Sequence, residues 1–340
     1  MKILAIQFKY LGDAVFITPA LEALHKQYPE AEIHVLVAQE VSPVLSHLPY
    51  VKKVWGLPRS RGKAKLLQTL PFVQKLRSER FDLSIDFAGN DRGTMLSLLV
   101  GAKQRVSAVE AKHKFLQKIA YTQTVESEQL PKVWVARHLK MLNLLLGTPE
   151  PNHPKIKISA NAVLQVEAAK SLNHRKIICH LGTSQQKKEW PITHWFKLYQ
   201  MATQVGYSIA FATGTGEREQ GLMKALKECE PNIWELRSKS LDHYLATLNE
   251  AEMVISGDTG PLHFASALGK KIIGLFAVED GVKHYAPIYK KDEVILGSPC
   301  TCTGELAHFP ICKSPNPCMN SISPEQVFEL LKKRYPLKPT

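Results

Sequence analysis

Residues 253–269 read MVISGDTGPLHFASALG. The first four, Met253 to Ser256, are apolar and β-prone and predict a buried parallel strand. Gly257-Asp258-Thr259-Gly260 is a turn. Pro261 fits the first helical position, where a missing N–H costs nothing, and Thr259 or Gly260 can cap. Leu262 to Leu268 are small or helix-compatible. Strand, glycine-rich turn and helix start together aim backbone N–H groups and the positive end of a helix dipole at an anion. Open α/β sheets bind their ligands at such carboxyl ends of strands. The same residues also serve a plain strand-to-helix turn with Asp258 and Thr259 as caps. His263, one turn into the helix, fits a structural role as readily as a ligand contact.

Outward from this stretch the pattern repeats. Before it lie predicted strands at 176–181, 207–213 and 233–236, with helices at 160–172, 192–205, 217–227 and 241–250; a strand at 272–276 follows. A final helix starts at Ser323-Pro324-Glu325 and runs to about 334. Residues 148–154, TPEPNHP, hold three prolines in seven positions and mark a linker. Ahead of it, strands at 2–8, 32–38, 51–57, 83–87 and 105–109 alternate with helices at 13–28, 63–79, 92–100 and 133–146. Residues 110–130 are polar and carry no clear period. This alternation predicts two doubly wound, parallel-sheet α/β domains, Rossmann-like in kind, facing a central cleft. The expected division is 1–150, 151–322, and a C-terminal helical segment, 323–340. No G-x-G-x-x-G follows the first strand, so a nicotinamide dinucleotide site is not supported.

The chain has 340 residues and a formal net charge of +13. Mean hydropathy is -0.15, as expected of a soluble globular protein. No apolar run approaches the roughly 18–20 residues of a membrane helix. The N-terminus lacks a small-residue cleavage site, and the expected location is cytoplasmic. Between Lys52 and Arg80 there are nine Lys/Arg and one acid, Glu79. From Lys103 to Lys140 the balance is eight to three. A basic half implies either an acidic partner or a solvated basic surface. The stretch 52–80 holds only two aromatics, Trp55 and Phe72, and matches no nucleic-acid motif, so nucleic acid is not the expected partner.

Of six cysteines, four cluster as C-x-C-x9-C-x5-C: Cys300, Cys302, Cys312 and Cys318. Four thiols this close can hold zinc or iron, but the spacing is not that of paired C-x-x-C sites. The expectation is no metal requirement.

Several loops at strand ends carry candidate chemistry. Gly12-Asp13 follows the first strand; a carboxylate there can act as general base or cap the helix. Thr183 and Ser184, followed by Lys187-Lys188, offer hydroxyl donors and a point charge suited to a diphosphate. Glu217 and Glu219 open a helix after the strand ending near Thr213; a carboxylate there can accept from ribose hydroxyls or complement the helix dipole. With 257–263, three loops from one edge of the second domain carry hydroxyl, ammonium, carboxylate and amide groups. A donor nucleotide in the second domain and an acidic acceptor at the basic first one is the arrangement of a two-domain glycosyltransferase.

At this point the sequence resembles the bacterial lipopolysaccharide heptosyltransferases, glycosyltransferase family 9. The resemblance rests on LGDAVFITPALEAL (11–24), DFAGNDRG (86–93), KEWPITHW (188–195), SGDTGPLHFASALG (256–269) and CMNSISPEQV (318–327). It implies a GT-B fold and a metal-independent, inverting transfer of heptose from ADP-heptose to an inner-core sugar of lipopolysaccharide. A variant reading keeps the fold with another nucleotide sugar and another glycan or protein acceptor. By resemblance, Asp13 is the base, Thr183, Ser184 and Lys188 contact the diphosphate, and Glu217 or Glu219 lies near the ribose. Asp258, Thr259, Gly260 and His263 match the D-T-G-x-x-H donor motif. The final helix is expected to pack back on the first domain. The implied partners are the nucleotide sugar, the anionic lipopolysaccharide core and, peripherally, the inner-membrane surface. Gln185-Gln186 and Ala277-Val278-Glu279-Asp280 depart from the family pattern, the latter replacing Gly-Pro-Thr-Asp-Pro.

Overall fold

The computed structural model describes residues 1–8, 11–58, 66–110, 115–277, 293–298, 311–312 and 314–337. The chain divides into two compact units, Met1–Ser159 and Ala160–Thr340.

The first unit comprises β1 (Lys2–Gln7), α1 (Thr18–Gln27), β2 (Glu32–Ala38), α2 (Ser42–Leu45), β3 (Val51–Leu57), α3 (Leu66–Ser78), β4 (Leu83–Asp86), α4 (Asp91–Val100), β5 (Gln104–Val109), α5 (Phe115–Ala120), β6 (Gln123–Glu126) and α6 (Trp134–Leu146). Its six strands are parallel, in the order β3-β2-β1-β4-β5-β6. The second unit comprises α7 (Gln165–Leu172), β7 (Ile177–His180), α8 (Ile192–Gln204), β8 (Ile209–Ala212), α9 (Glu217–Cys229), β9 (Trp234–Glu235), α10 (Leu241–Glu250), β10 (Met253–Gly257), α11 (Gly260–Ala267), β11 (Lys271–Phe276), β12 (Val294–Leu296) and α12 (Pro324–Arg334). Its sheet is also parallel, in the order β12-β11-β10-β7-β8-β9. Each unit thus has the doubly wound order, with the direction of winding reversing between its first and fourth strands. Those switch points are β1/β4 and β7/β10.

Central strands read as continuous apolar runs because both faces are covered. Every residue of β10 is buried, between β7 and β11. At the first switch point Asn90 caps α4, accepting from Gly93 N at 2.9 Å, and donates Nδ2 to Phe8 O at 2.7 Å. One side chain therefore ties the loop after β4 to the end of β1.

The predicted helix over 13–28 is two elements. Leu11–Ile17 is a 3₁₀ segment, and α1 starts at Thr18-Pro19, since proline suits a first turn. The unassigned stretch 110–130 contains α5 and β6. β6 is an edge strand in which only Val125 is buried, so no alternation announces it. The break between units lies beyond the expected 150/151, at Ser159/Ala160. Ile156 and Ile158 are buried, and Lys157 N donates to Thr18 Oγ1 at 3.1 Å, which keeps this segment with the first unit.

The final helix packs within the second unit, against α8 and β11. Val327, Phe328 and Leu331 join the core built on Trp190, Trp195 and Phe211. Its apolar stripe is thereby used, and Trp190 Nε1 donates to Ile322 O at 2.8 Å just ahead of it. A complete capping box between Ser323 and Gln326 fixes its start. Among the described residues no helix is long and apolar enough to cross a membrane.

Candidate active site

The loops after β7 and β10 meet at the second switch point. Lys188 Nζ lies 2.6 Å from Asp258 Oδ2, and Asp258 Oδ1 lies 3.8 Å from His263 Nε2. Asp258 is 6% exposed and His263 is 4%, whereas Lys188 keeps 23% of its side chain in solvent. Burial holds the His263 imidazole down at about 4, against the pull of Asp258, so it is neutral at pH 7. The arrangement presents one partly open cation backed by a buried carboxylate.

Thr259 is the N-cap of α11 by backbone geometry, but its side chain makes no capping bond. Leu262 N is committed to Thr259 O at 3.1 Å and Pro261 has no N–H, so among the described residues the amides left without a partner at this helix start are those of Thr259 and Gly260. Gly257 has to be glycine: a Cβ there would stand 2.8 Å from Thr183 Cγ2. The close approach is what brings the two loops together.

Thr183 is buried, and its hydroxyl donates to Gln185 O at 2.6 Å. It therefore shapes its own loop, while the next residue, Ser184, is exposed. Lys187 is buried and Lys188 half-buried, so of this basic pair the second is the one placed beside Asp258.

The two acids of α9 part company. Glu217 is exposed in the first turn. Glu219 is half-buried, and a Cβ on either Gly182 or Gly214 would strike its carboxylate. Burial raises its pKa, while Arg218 and bonds from Gly214 and Gly216 N–H act the other way. Of the two, Glu219 is the one aimed at the carboxyl ends of β7 and β8.

Three groups here went unread in the sequence. Arg218 forms an ion pair with Glu189 and donates to Thr183 O, bracing the loop that carries Lys188. His180, the last residue of β7, shares a 3.0 Å hydrogen bond between its Nδ1 and Tyr244 Oη. Burial lowers His180 to about 4 and raises the Tyr244 phenol, which nearby Glu219 raises further. A histidine ending an apolar strand was the available signal.

In the first unit, Asp13 is half-buried in the 3₁₀ segment that follows β1. The loop after β4 stands beside it in the sheet order. There Asp86 accepts from Tyr121 Oη at 2.7 Å, Ala88 N at 2.9 Å and Gly89 N at 3.1 Å. Of the cysteine cluster, Cys300 and Cys302 lie outside the described residues, as do Val278, Glu279 and Asp280. Cys318 is buried and donates Sγ to Ala277 O at 3.0 Å; Cys312 is half-exposed.

The sequence profile described as "Glycosyltransferase family 9 (heptosyltransferase)" matches residues 69–308. The chain is 22% identical over 349 residues to lipopolysaccharide heptosyltransferase 1 of Campylobacter coli, covering 98% of this chain and 99% of that protein. Among solved structures it is similar to the glycosyl transferase family 9 protein of Veillonella parvula, with TM-score 0.81, 16% identity and coverage of 98% and 96%. It is also similar to E. coli heptosyltransferase WaaC in complex with ADP-2-deoxy-2-fluoro heptose, with TM-score 0.73, 18% identity and coverage of 98% and 99%.

Proposed function

The chain belongs to glycosyltransferase family 9, the heptosyltransferases, and from that membership we propose that it transfers heptose from ADP-heptose to an inner-core sugar of lipopolysaccharide. The acceptor is anionic, in keeping with the basic first unit, and it presents itself at the inner-membrane surface. The carrying observation is the convergence of Lys188, Asp258, Thr259, Gly260 and Glu219 on one edge of the second sheet, around its switch point.

In this reading Glu219 accepts from ribose hydroxyls. Lys188 Nζ and the amides of Thr259 and Gly260 hold the diphosphate, with Ser184 alongside and Thr183 keeping the loop in shape. Asp258 positions Lys188, and neutral His263 packs beneath the pair. Asp13 takes the proton of the acceptor hydroxyl as that oxygen bonds to the anomeric carbon. The bond from the anomeric carbon to the diphosphate oxygen breaks, and its electron pair leaves on the nucleotide. Attack from the opposite side inverts the centre. Developing charge on the diphosphate is met by Lys188 and the helix start, which act without reorganisation. The scheme assigns no role to a metal ion.

The test is calorimetry and thermal shift with ADP, UDP, GDP and CMP. A ligand at 100 times its dissociation constant stabilises by about 2.7 kcal/mol. Selective binding of ADP is the expected result and leads to turnover assays with ADP-heptose. Selective binding of another nucleotide changes the donor, and binding of none removes the assignment of these loops.

A further inference from the structure

His180 is the last residue of β7, at the carboxyl edge of the second sheet. Ile177 and Cys179 of the same strand face the core under α8, so alternation turns His180 to the opposite face. There Tyr244 of α10 meets it, with 3.0 Å between Nδ1 and Oη. α10 follows β9 in a parallel sheet, so Tyr244, one turn into that helix, also stands at the carboxyl edge. His180 is 4% exposed, while Tyr244 keeps part of its surface open. Among the described residues Tyr244 Oη has no other hydrogen-bond partner, and His180 Nε2 has none.

The pair lies beside Glu219. Gly182, two residues past His180, is one of the glycines whose Cβ would strike the Glu219 carboxylate, and the charge of Glu219 reaches the Tyr244 phenol through space. Burial keeps the His180 ring neutral, so it carries one N–H, and its position decides what Tyr244 can offer. With the proton on Nε2, Tyr244 donates to Nδ1 and presents only lone pairs. With the proton on Nδ1, the imidazole donates to Oη and the phenol proton is released. The carboxylate selects the second arrangement, because it attracts the positive end of the phenol O–H dipole.

A ribose diol whose hydroxyls both donate to Glu219 has oxygen lone pairs that still need a donor. An ionised carboxylate has no proton to give, and a phenol has one. The chain then runs from Nδ1–H to Oη–H to ribose hydroxyl to carboxylate, each bond polarising the next. We propose that Tyr244 is a second ribose-contacting residue, donating its phenol O–H to the diol that Glu219 accepts from, and that His180, in its Nδ1–H tautomer, is the positioning residue that aims it. This deepens the donor reading above and rests on it.

The experiment is calorimetry of the full chain with ADP and with 2′,3′-dideoxy-ADP. Tyr244→Phe is expected to weaken ADP about fivefold, the worth of one uncharged hydrogen bond, and to leave the dideoxy form unchanged. A packing defect would weaken both alike. His180→Asn places an amide N–H where Nδ1–H stood and is expected to keep the ribose preference. His180→Leu is expected to lose it as Tyr244→Phe does; if the leucine variant does not fold, Tyr244→Phe decides. In ¹⁵N-histidine spectra of the parent, the signal that His180→Asn removes is expected to show a protonated Nδ1 and a bare Nε2. A Tyr244→Phe variant with the parent's full ribose preference overturns the proposal and leaves Glu219 in place. A protonated Nε2, or loss of preference in His180→Asn, overturns the part given to His180. A parent that binds the two nucleotides equally, or binds neither, overturns the ribose assignment of Glu219 and this proposal with it.

Discussion

Lys188 Nζ stands 2.6 Å from Asp258 Oδ2, linking the loop after β7 to the loop after β10. The two strands are hydrogen-bonded neighbours at the point where the sheet's winding reverses. One partner is buried and the other partly open, so the pair braces the site and leaves ammonium surface for a ligand.

Lys188→Ala is expected to weaken ADP binding roughly 10–100-fold, the size of one hydrogen-bonded charge contact. It should also lower the melting temperature, because Asp258 is left buried without its cation. Adding Asp258→Asn should recover most of the stability and none of the affinity. Calorimetry and thermal melts on the three variants separate the two effects. Recovery of affinity in the double variant would contradict the role given to Lys188.

Asp13→Ala should reduce turnover by roughly 10²–10⁴, the range of a general base. Asp13 belongs to the first unit and the proposed nucleotide groups to the second, so ADP affinity should not change. Steady-state kinetics beside calorimetry check both. Near-normal turnover would take the base role from Asp13.

Gly214→Ala places a Cβ against the Glu219 carboxylate, the far end of a flexible side chain. The carboxylate should swing away while the fold survives, changing stability by less than about 1 kcal/mol. The expected loss is ribose recognition. The parent should prefer ADP over its 2′,3′-dideoxy form by about tenfold, the worth of hydrogen bonds to a charged group, and the variant should lose that preference. An unchanged preference would remove Glu219 from the ribose.

Much of this was readable in the residues. Continuous apolar runs such as MVIS and KILAIQ, followed by glycine-bearing turns, give parallel strands, and alternation with helices gives two doubly wound sheets. Thr259-Gly260-Pro261 was legible as a helix start because local chemistry alone requires one. What escaped depended on long-range partners. β6 is strand because Val106–Val109 offers it a ladder, and its own residues are mostly exposed. Glu217 and Glu219 are alike in sequence; only the gap left by Gly182 and Gly214 tells them apart. Arg218 was overlooked between them because its partners, Glu189 and Thr183, lie in another loop. The last helix's apolar stripe fits any apolar surface in the sequence alone, and in the structure it is α8 that supplies one.

Two buried imidazoles give a pH dependence whose sign is fixed. His180 and His263 are both held at about 4 by burial, against an ordinary value of 6.5. A histidine depressed in the fold binds its proton more readily when unfolded. Its contribution is therefore fully present above 6.5 and is lost as pH falls through about 4. Each can remove roughly 3 kcal/mol over that window if it titrates independently. His34, depressed by burial in the first unit, acts in the same direction. Urea unfolding followed from pH 7 down to 4 should show stability falling throughout, with proton uptake on unfolding. His180→Asn removes one titrating group while leaving an oxygen or nitrogen within reach of Tyr244, so its stability should fall less steeply over the same window. A variant with the parent's full slope would place the uptake on other groups.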